Sequence, residues 1–465
     1  MAAHEARRAD GTMRAALAQM EAVSRKAIGG TGPYAVQHPR PKDLAWPQEW
    51  REALVLGEFC GGEFLRPAVS FTDSNCTTKV AYAALQSTRR RRAAEWLTAH
   101  LGRDVTAALP SRHNKLGGMS GSFRFFRVQL GASGEEMSVA LKTTAASSLK
   151  RSALLGNARE AHFYRTLAPS LGAAGVPRAH LAMGSMSSGA MLVLMECLEG
   201  AVPSGVYFGA GNPNNWGVEL PPTGAGTPTP EHLSLAAFKL YARLHGTHWR
   251  SQALLSMSWL RGSDWAQGDG EQTWRAAMRM ASDAWAELSA ARRDGTSGVA
   301  WDPHVVACLD ASFAKAKWDS FLEEQAKRPL SLVHGDCHPH NVLLLGERLC
   351  LVDFEMVGVG SPAQELGQFL ISHMEPDRRR AVERGLVEAY HTELVSTLRA
   401  RGITDAYSFD ACWSEYVAGG AGRWAWFVPY LAKAMPPLGQ FFHDQLAAFL
   451  HDHIPDPSQA PIPRV

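Results

Sequence analysis

Neither sign of charge is in excess in this sequence: 47 Lys and Arg stand against 45 Asp and Glu, a formal net charge of +2. A protein whose main task is to coat nucleic acid carries a strong basic excess, so that class is excluded. Long apolar runs are missing too, and no stretch approaches the roughly 18 residues a membrane helix needs. At the N-terminus Arg7, Arg8, Arg14 and Arg25 mix with Glu5, Asp10 and Glu21, and no apolar core follows them. That excludes a secretory signal and leaves only a poor match to an organelle transit peptide. Cysteine is sparse, with seven scattered residues and no C-x-x-C pair. A disulfide framework and a Cys-rich zinc site are therefore not expected, and a reducing compartment is. The expectation is a soluble cytoplasmic protein that uses neither membrane nor nucleic acid as partner.

What remains is an ordinary globular composition, 46% hydrophobic and 20% charged, in a chain of 465 residues that can bury a large core. Residues 1–93 read as an extension. Met13 to Ala27 has helical spacing, a Gly- and Pro-rich stretch follows, and the Arg89 to Arg92 run suits a solvated helix face. From Leu116 the texture changes. A small-residue loop, Leu116-Gly-Gly-Met-Ser-Gly-Ser122, leads into strand patterns at Phe123 to Leu130 and Met137 to Lys142, a β-hairpin with a glycine-rich entry. Ser152 to Leu167 has helical spacing, and Ala190 to Met195 reads as a further strand. Residues 201–230 hold six Gly and six Pro and read as loop. Helical patterns then dominate at 231–249, 271–292, 304–326, 377–400 and 408–427, interrupted by two short buried strands around 341–352. The predicted organisation is α+β: an extension (1–93), a small β-rich lobe (94–195), a large helical lobe (196–453) and a tail (454–465).

The most informative segment is Leu332-Val-His334-Gly-Asp336-Cys-His-Pro-His-Asn341, followed by Asp353-Phe-Glu355. It supplies a carboxylate and an amide five residues apart in a loop, then a second carboxylate after a hairpin. Phosphoryl transfer needs such groups: one carboxylate to accept the proton of an attacking hydroxyl, and hard oxygen donors to hold Mg²⁺ against a triphosphate. The β-rich lobe carries the complementary parts in the matching order. Gly117, Gly118, Ser120, Gly121 and Ser122 let backbone N–H groups approach phosphate oxygens, and Lys142, ending Val139-Ala-Leu-Lys142, offers them a point charge. Glu160 on the next helix is placed to pair with Lys142, and Glu196 to Leu198 to offer backbone groups to an adenine ring.

His334-Gly-Asp336 with Asn341 and Asp353 resembles the signature of the aminoglycoside phosphotransferase and choline kinase superfamily. Ala237-Phe-Lys-Leu-Tyr-Ala-Arg-Leu-His245-Gly-Thr-His-Trp249 is similar to a helix of its ecdysteroid-kinase-like (CHK-kinase-like) branch. The resemblance covers about residues 95–450. It implies a bilobal protein-kinase-like fold that uses ATP and Mg²⁺ to phosphorylate a hydroxyl of a small molecule. It further implies Asp336 as catalytic base, Asn341 and Asp353 as metal ligands, and Lys142 on the phosphates. Two departures stand out. Gly335 occupies a position where choline kinases usually have Asn, and Glu365 in Ser361-Pro-Ala-Gln-Glu365 stands where the family usually has the Asp that supports the catalytic loop.

Two other readings compete. His334, Cys337, His338 and His340 are residue types that suit zinc, which would make a metal-dependent hydrolase. A catalytically silent binding protein of kinase fold is the other. Trp413, Tyr416, Trp424, Trp426 and Phe427 gather in one helical stretch, either as core packing or as an aromatic cleft for a quaternary ammonium or an apolar ring. No acidic cluster accompanies them, which weighs against polycationic acceptors.

Overall fold

The structure, a computed structural model, describes residues 91, 93–111, 122–144, 148–172, 175–222, 224, 226–404 and 407–465. Nearly all of the extension lies outside these residues, as do Gly117, Gly118, Ser120 and Gly121. The described chain falls into two compact units, one ending at Gly200 and the other running from Ala201 to Val465. One is built on a sheet and the other is mainly helical, so the α+β expectation is borne out. No helix among the described residues is long and apolar enough to cross a membrane.

In the sheet unit, α1 (93–101) precedes β1 (Val105–Ser111), β2 (Ser122–Leu130) and β3 (Glu135–Thr143). Then come α2 (Leu149–Leu155), α3 (Arg159–Thr166), β4 (Ala179–Gly184) and β5 (Met191–Glu196). The strands form one antiparallel sheet in the order β1-β2-β3-β5-β4. Alternation sets its inner face: Phe126, Val128 and Leu130 of β2 and Val139 and Leu141 of β3 are buried with Leu97 of α1. The same period of two turns Lys142 away from Leu141's face. The apolar run Met191–Met195 is buried throughout, as a central strand covered on both faces requires. The helix predicted over Ser152 to Leu167 is two helices. Gly156, with φ +71°, ends the first in a left-handed C-cap, and α3 starts afresh at Arg159. Strands β1 and β4 are not predicted from the sequence because neither has a strong apolar alternation.

The helical unit opens with β6 (Val202–Pro203) and α4 (Pro230–Thr247), then α5 (Glu271–Arg293), α6 (Pro303–Lys315) and α7 (Trp318–Ala326). The single helix expected over 304–326 breaks at Ala316 and Lys317, where extended backbone directs Trp318 and Phe321 into an aromatic cluster with Trp274 and Trp426. Next come β7 (Ser331–Val333), β8 (Val342–Leu345), β9 (Arg348–Leu351) and β10 (Gly358–Gly360). β8 and β9 form the expected hairpin, β6 joins β8, and β10 pairs with β7. Four helices finish the unit: α8 (Gln364–His373), α9 (Pro376–Ala400), α10 (Phe409–Ala434) and α11 (Pro436–His453). The segment expected as a tail packs back on the unit. Ala460 and Ile462 are buried, and the Arg464 N–H donates to Gly422 O of α10 (2.8 Å) while its side chain pairs with Glu415.

Helices α8 and α10 cross at the distance of their backbones. A Cβ on Gly367 would stand 2.5 Å from Gly420 Cα and 2.8 Å from Tyr416 O, and one on Gly419 would stand 2.4 Å from Gln364 Cα. Backbone meets backbone here, so α8 cannot recede from an added methyl without shifting as a whole. Helix propensity alone predicts that Gly367→Ala stabilises by about 1 kcal/mol. The packing predicts the opposite sign, a loss of about 1–3 kcal/mol in urea unfolding. An unchanged or higher urea midpoint would contradict the close crossing.

Candidate active site

The loop from His334 to Asn341 leaves β7 and returns through a 3-10 turn at Pro339–Asn341 into β8. Gly335 makes the sharp exit possible. Its φ is +83°, and a Cβ there would lie 2.0 Å from Met356 O, so no side chain fits.

The loop is fastened from below by Glu365, whose carboxylate accepts the His334 N–H (3.0 Å) and the Gly335 N–H (2.6 Å). It also accepts from His245 Nε2 of α4 (2.9 Å), whose Nδ1 in turn takes the Tyr390 hydroxyl (2.8 Å). Burial would raise the Glu365 carboxyl, but His245, His334 and the Gly335 N–H outweigh it and hold it below its usual value. The longer carboxylate thus makes the support expected of the family's shorter one. His334 is committed at both ring nitrogens: Nε2–H donates to Val352 O (2.9 Å), and Nδ1 accepts the Asp336 N–H (3.3 Å). Among the described residues the His and Cys side chains of this loop form no group of converging metal ligands. The Cys337 thiol is buried and pushed far above its usual value by burial and by the Glu365 charge.

Asp336 and Asn341 are brought together. Asn341 Nδ2 donates to the backbone oxygen of Asp336 (3.0 Å) and to its Oδ2 (3.2 Å). Three further groups face Asp336. Gln368 Nε2 of α8 reaches Oδ1 (3.4 Å), His338 Nε2 lies 3.5 Å from Oδ2, and the buried Arg423 guanidinium of α10 bonds Gly335 O (3.2 Å). Burial would raise the Asp336 carboxyl. His338, His334 and Arg423 outweigh it and hold the group well below the ordinary carboxylate range, so it is ionised at neutral pH. Burial disfavours charge on His338 in return, yet Asp336 and Asp353 raise its imidazole. A loop histidine is ordinarily solvated; the structure sets this one against the acid.

Asp353 follows β9 in a left-handed conformation, φ +68°, rare for a residue with a side chain and concentrated at functional positions. Its neighbour Val352 donates to Asn341 O (3.0 Å), which ties the two predicted metal-ligand segments together.

In the sheet unit, Lys142 of β3 and Glu160 of α3 form a buried ion pair, Nζ to Oε2 2.5 Å, with both side chains 2% exposed or less. Phe123 lies under the ammonium, 5.4 Å from ring centroid to Nζ. Glu196 ends β5, where its side chain accepts the Arg178 N–H (3.0 Å), and the Leu198 N–H makes no hydrogen bond among the described residues. Of the glycine-rich loop only the backbone of Ser122 is described, paired opposite Thr143.

Gln368 and Arg423 are site residues that the sequence does not single out. Gln368 was within reach, since it lies three residues after Glu365 and therefore on the same helix face. Arg423 is a lone cation in the aromatic stretch 413–427. That stretch is core: Tyr416 and Trp426 are buried, Trp426 Nε1 donates to Ala277 O (3.1 Å), and Trp424 stacks on Phe442 at 4.5 Å.

Glu365 gives a test of the loop's support. Glu365→Gln puts an amide donor against N–H groups, and a loss of about 2–3 kcal/mol is expected in denaturant unfolding at pH 7. The folded carboxyl titrates below its unfolded value of about 4.3. Its contribution is therefore complete above that pH and lost as pH falls through the lower folded value. The variant should show a shallower loss of stability below about pH 4; an unchanged acid limb would remove the carboxylate from this role.

A family model described as the phosphotransferase enzyme family matches residues 120–402, a span that contains Lys142, Glu160, Asp336, Asn341, Asp353 and Glu365 and stops before Arg423. A comparison with curated proteins finds no match. Similar solved structures include a choline kinase from Cryptosporidium parvum, 8% identical over 74% of this chain and 88% of that one, TM-score 0.44. A glucosamine kinase in complex with glucosamine, ADP and inorganic phosphate is 15% identical over 77% and 82%, TM-score 0.41. A Plasmodium vivax ethanolamine kinase is 10% identical over 89% and 96%, TM-score 0.37. The family match covers more than half of the chain and bears out the resemblance carried by the His334 to Asp353 segment: the chain belongs to the phosphotransferase enzyme family.

Proposed function

We propose that this phosphotransferase moves the γ-phosphoryl group of ATP onto a hydroxyl of a small molecule with the help of Mg²⁺. The observation that carries the reading is the Asp336 carboxylate, kept ionised and held on both oxygens by Asn341, Gln368 and His338. A carboxylate so fixed orients an acceptor hydroxyl and takes up its proton late, because the phosphoryl transition state is loose and little proton affinity is needed early.

The donor set fits the metal. Asp353 brings carboxylate oxygens, and Asn341, with Nδ2 committed to Asp336, brings Oδ1; both are the hard oxygen donors Mg²⁺ takes. When bound, the ion neutralises charge on the phosphate oxygens. In the sheet unit, the Lys142 ammonium, paired with Glu160, serves the phosphates, the residues from Gly117 to Ser122 are assigned to them by sequence alone, and backbone groups at Glu196 and Leu198 receive adenine. A metal-dependent hydrolase built on the loop histidines is the weaker reading, since among the described residues the loop's His and Cys side chains do not converge on one point, and Nδ1 of His334 already accepts the Asp336 N–H.

ADP release coupled to a phosphorylated product tests the proposal. Asp336→Asn should lower kcat by about 10²–10⁴-fold with the protein still folded. Asp353→Asn should remove most turnover at little cost in thermal stability. Full activity in the Asp336 variant would overturn the assignment of the base, and unchanged turnover of the Asp353 variant at saturating Mg²⁺ would remove that residue from the metal site. ATP turnover that Asp336→Ala abolishes also excludes a catalytically silent binding protein.

A further inference from the structure

Arg423 is 5% exposed, keeps its charge, and forms no ion pair among the described residues. Burial lowers its pKa only to about 10, because the charges of Asp336 and Glu365 oppose the shift. One nitrogen, Nη2, is spent on Gly335 O (3.2 Å), while Nε and Nη1 are buried with no hydrogen-bond partner among the described residues. Leaving donors of a charged group unsatisfied in the interior is costly, and a guanidinium cannot escape by losing its proton. Other buried arginines of the unit are paired with carboxylates: Arg379 lies against Glu383 (2.7 Å) and Asp452, and Arg464, though its Nε and Nη2 also lack a hydrogen bond, lies against Glu415. The guanidinium also lies over Phe427 (4.5 Å) and Trp426 (5.5 Å). The cation that those rings invite is therefore supplied by the protein itself.

We propose that Arg423 determines acceptor specificity, and that the alcohol this enzyme phosphorylates carries an anionic oxygen group, a carboxylate or a phosphate, which takes the unpartnered Nε and Nη1 donors. The inference rests on the phosphotransferase reading and names its substrate class. The guanidinium is a rigid fork, so an anion on Nε or Nη1 is held at a fixed offset from Gly335, the residue before the base. An acceptor gripped there presents a hydroxyl near Asp336. A quaternary ammonium or protonated amine would instead meet a buried like charge, with its aromatic platform already covered. The transferred phosphoryl group is the other anion that could use these donors, and kinetics separates the two.

The test uses the full-length protein with ATP and Mg²⁺, ADP release as the rate, and mass identification of the product. Acceptors come as three sets: hydroxy acids, uronic acids and sugar phosphates; neutral sugars and polyols; and amino alcohols including choline, ethanolamine and glucosamine. The highest kcat/KM is expected in the acidic set. Arg423→Met should lower it by about 30-fold or more, mainly through KM, and Arg423→Lys, which keeps the charge, should stay within about tenfold. A best acceptor that is neutral or an amino alcohol overturns the proposal. So does an Arg423→Met loss that falls on kcat equally for acidic and neutral acceptors, which would place the donors on the transferred group or the loop alone. If Arg423→Met does not fold, the wild-type preference and the Lys variant decide. ATP hydrolysis by the wild type with no acceptor above the water rate counts against the proposal and leaves the phosphotransferase reading standing. No ATP consumption by the wild type overturns both.

Discussion

The helical unit's chemistry depends on one buried carboxylate. Glu365 accepts two consecutive backbone N–H groups, those of His334 and Gly335, as the chain leaves β7. Those N–H groups point away from any strand partner, so without Glu365 the loop would bury two unsatisfied donors or unfold to find water. A buried anion is itself expensive, and it is sustained because three donors converge on it and His245 is braced by Tyr390. Glu365 stands on α8 two residues before the point where that helix lies close against α10 and glycine faces glycine.

Around Asp336 the charges balance at short range. Asp336 and Glu365 are anionic, and Arg423 and the raised imidazole of His338 oppose them. The chain's near-zero net charge gives no long-range field to gather phosphates. On the proposed reading, attraction for a triphosphate comes from placed groups such as Lys142, whose buried ammonium is paired with Glu160. Breaking either half of the pair would remove the ion partner of a charge held in the interior.

Much of this was legible, for identifiable reasons. The hairpin ending at Lys142, the buried strand at Met191 and the hairpin after Asn341 all carry period-two or fully apolar patterns. The residues of the catalytic segment sit within one loop and its hairpin, so their spacing alone places them. Strands β1 and β4 lack alternation, and the breaks at Gly156 and Lys317 depend on which aromatic or backbone group has a partner, which local spacing does not report. The aromatic stretch of α10 showed the limit most clearly. Its composition allowed a cation-binding cleft or a core, and only the positions of Phe442 and Arg423 decide for the core.

The same distinction explains why the reaction class is written plainly and the acceptor is not. Asp336 meets Asn341 across five residues, but Gln368 reaches it across 32, and Arg423 reaches Gly335 across 88. Groups within the loop are fixed by local chain geometry, and a short motif suffices to place them. Gln368 and Arg423 come from helices brought in by tertiary packing, and no spacing rule links them to the loop. On the reading proposed for Arg423, a chain could keep its transfer chemistry while changing one side chain on α10 to meet a different alcohol. The family match, which ends at residue 402, holds the first set and leaves out Arg423.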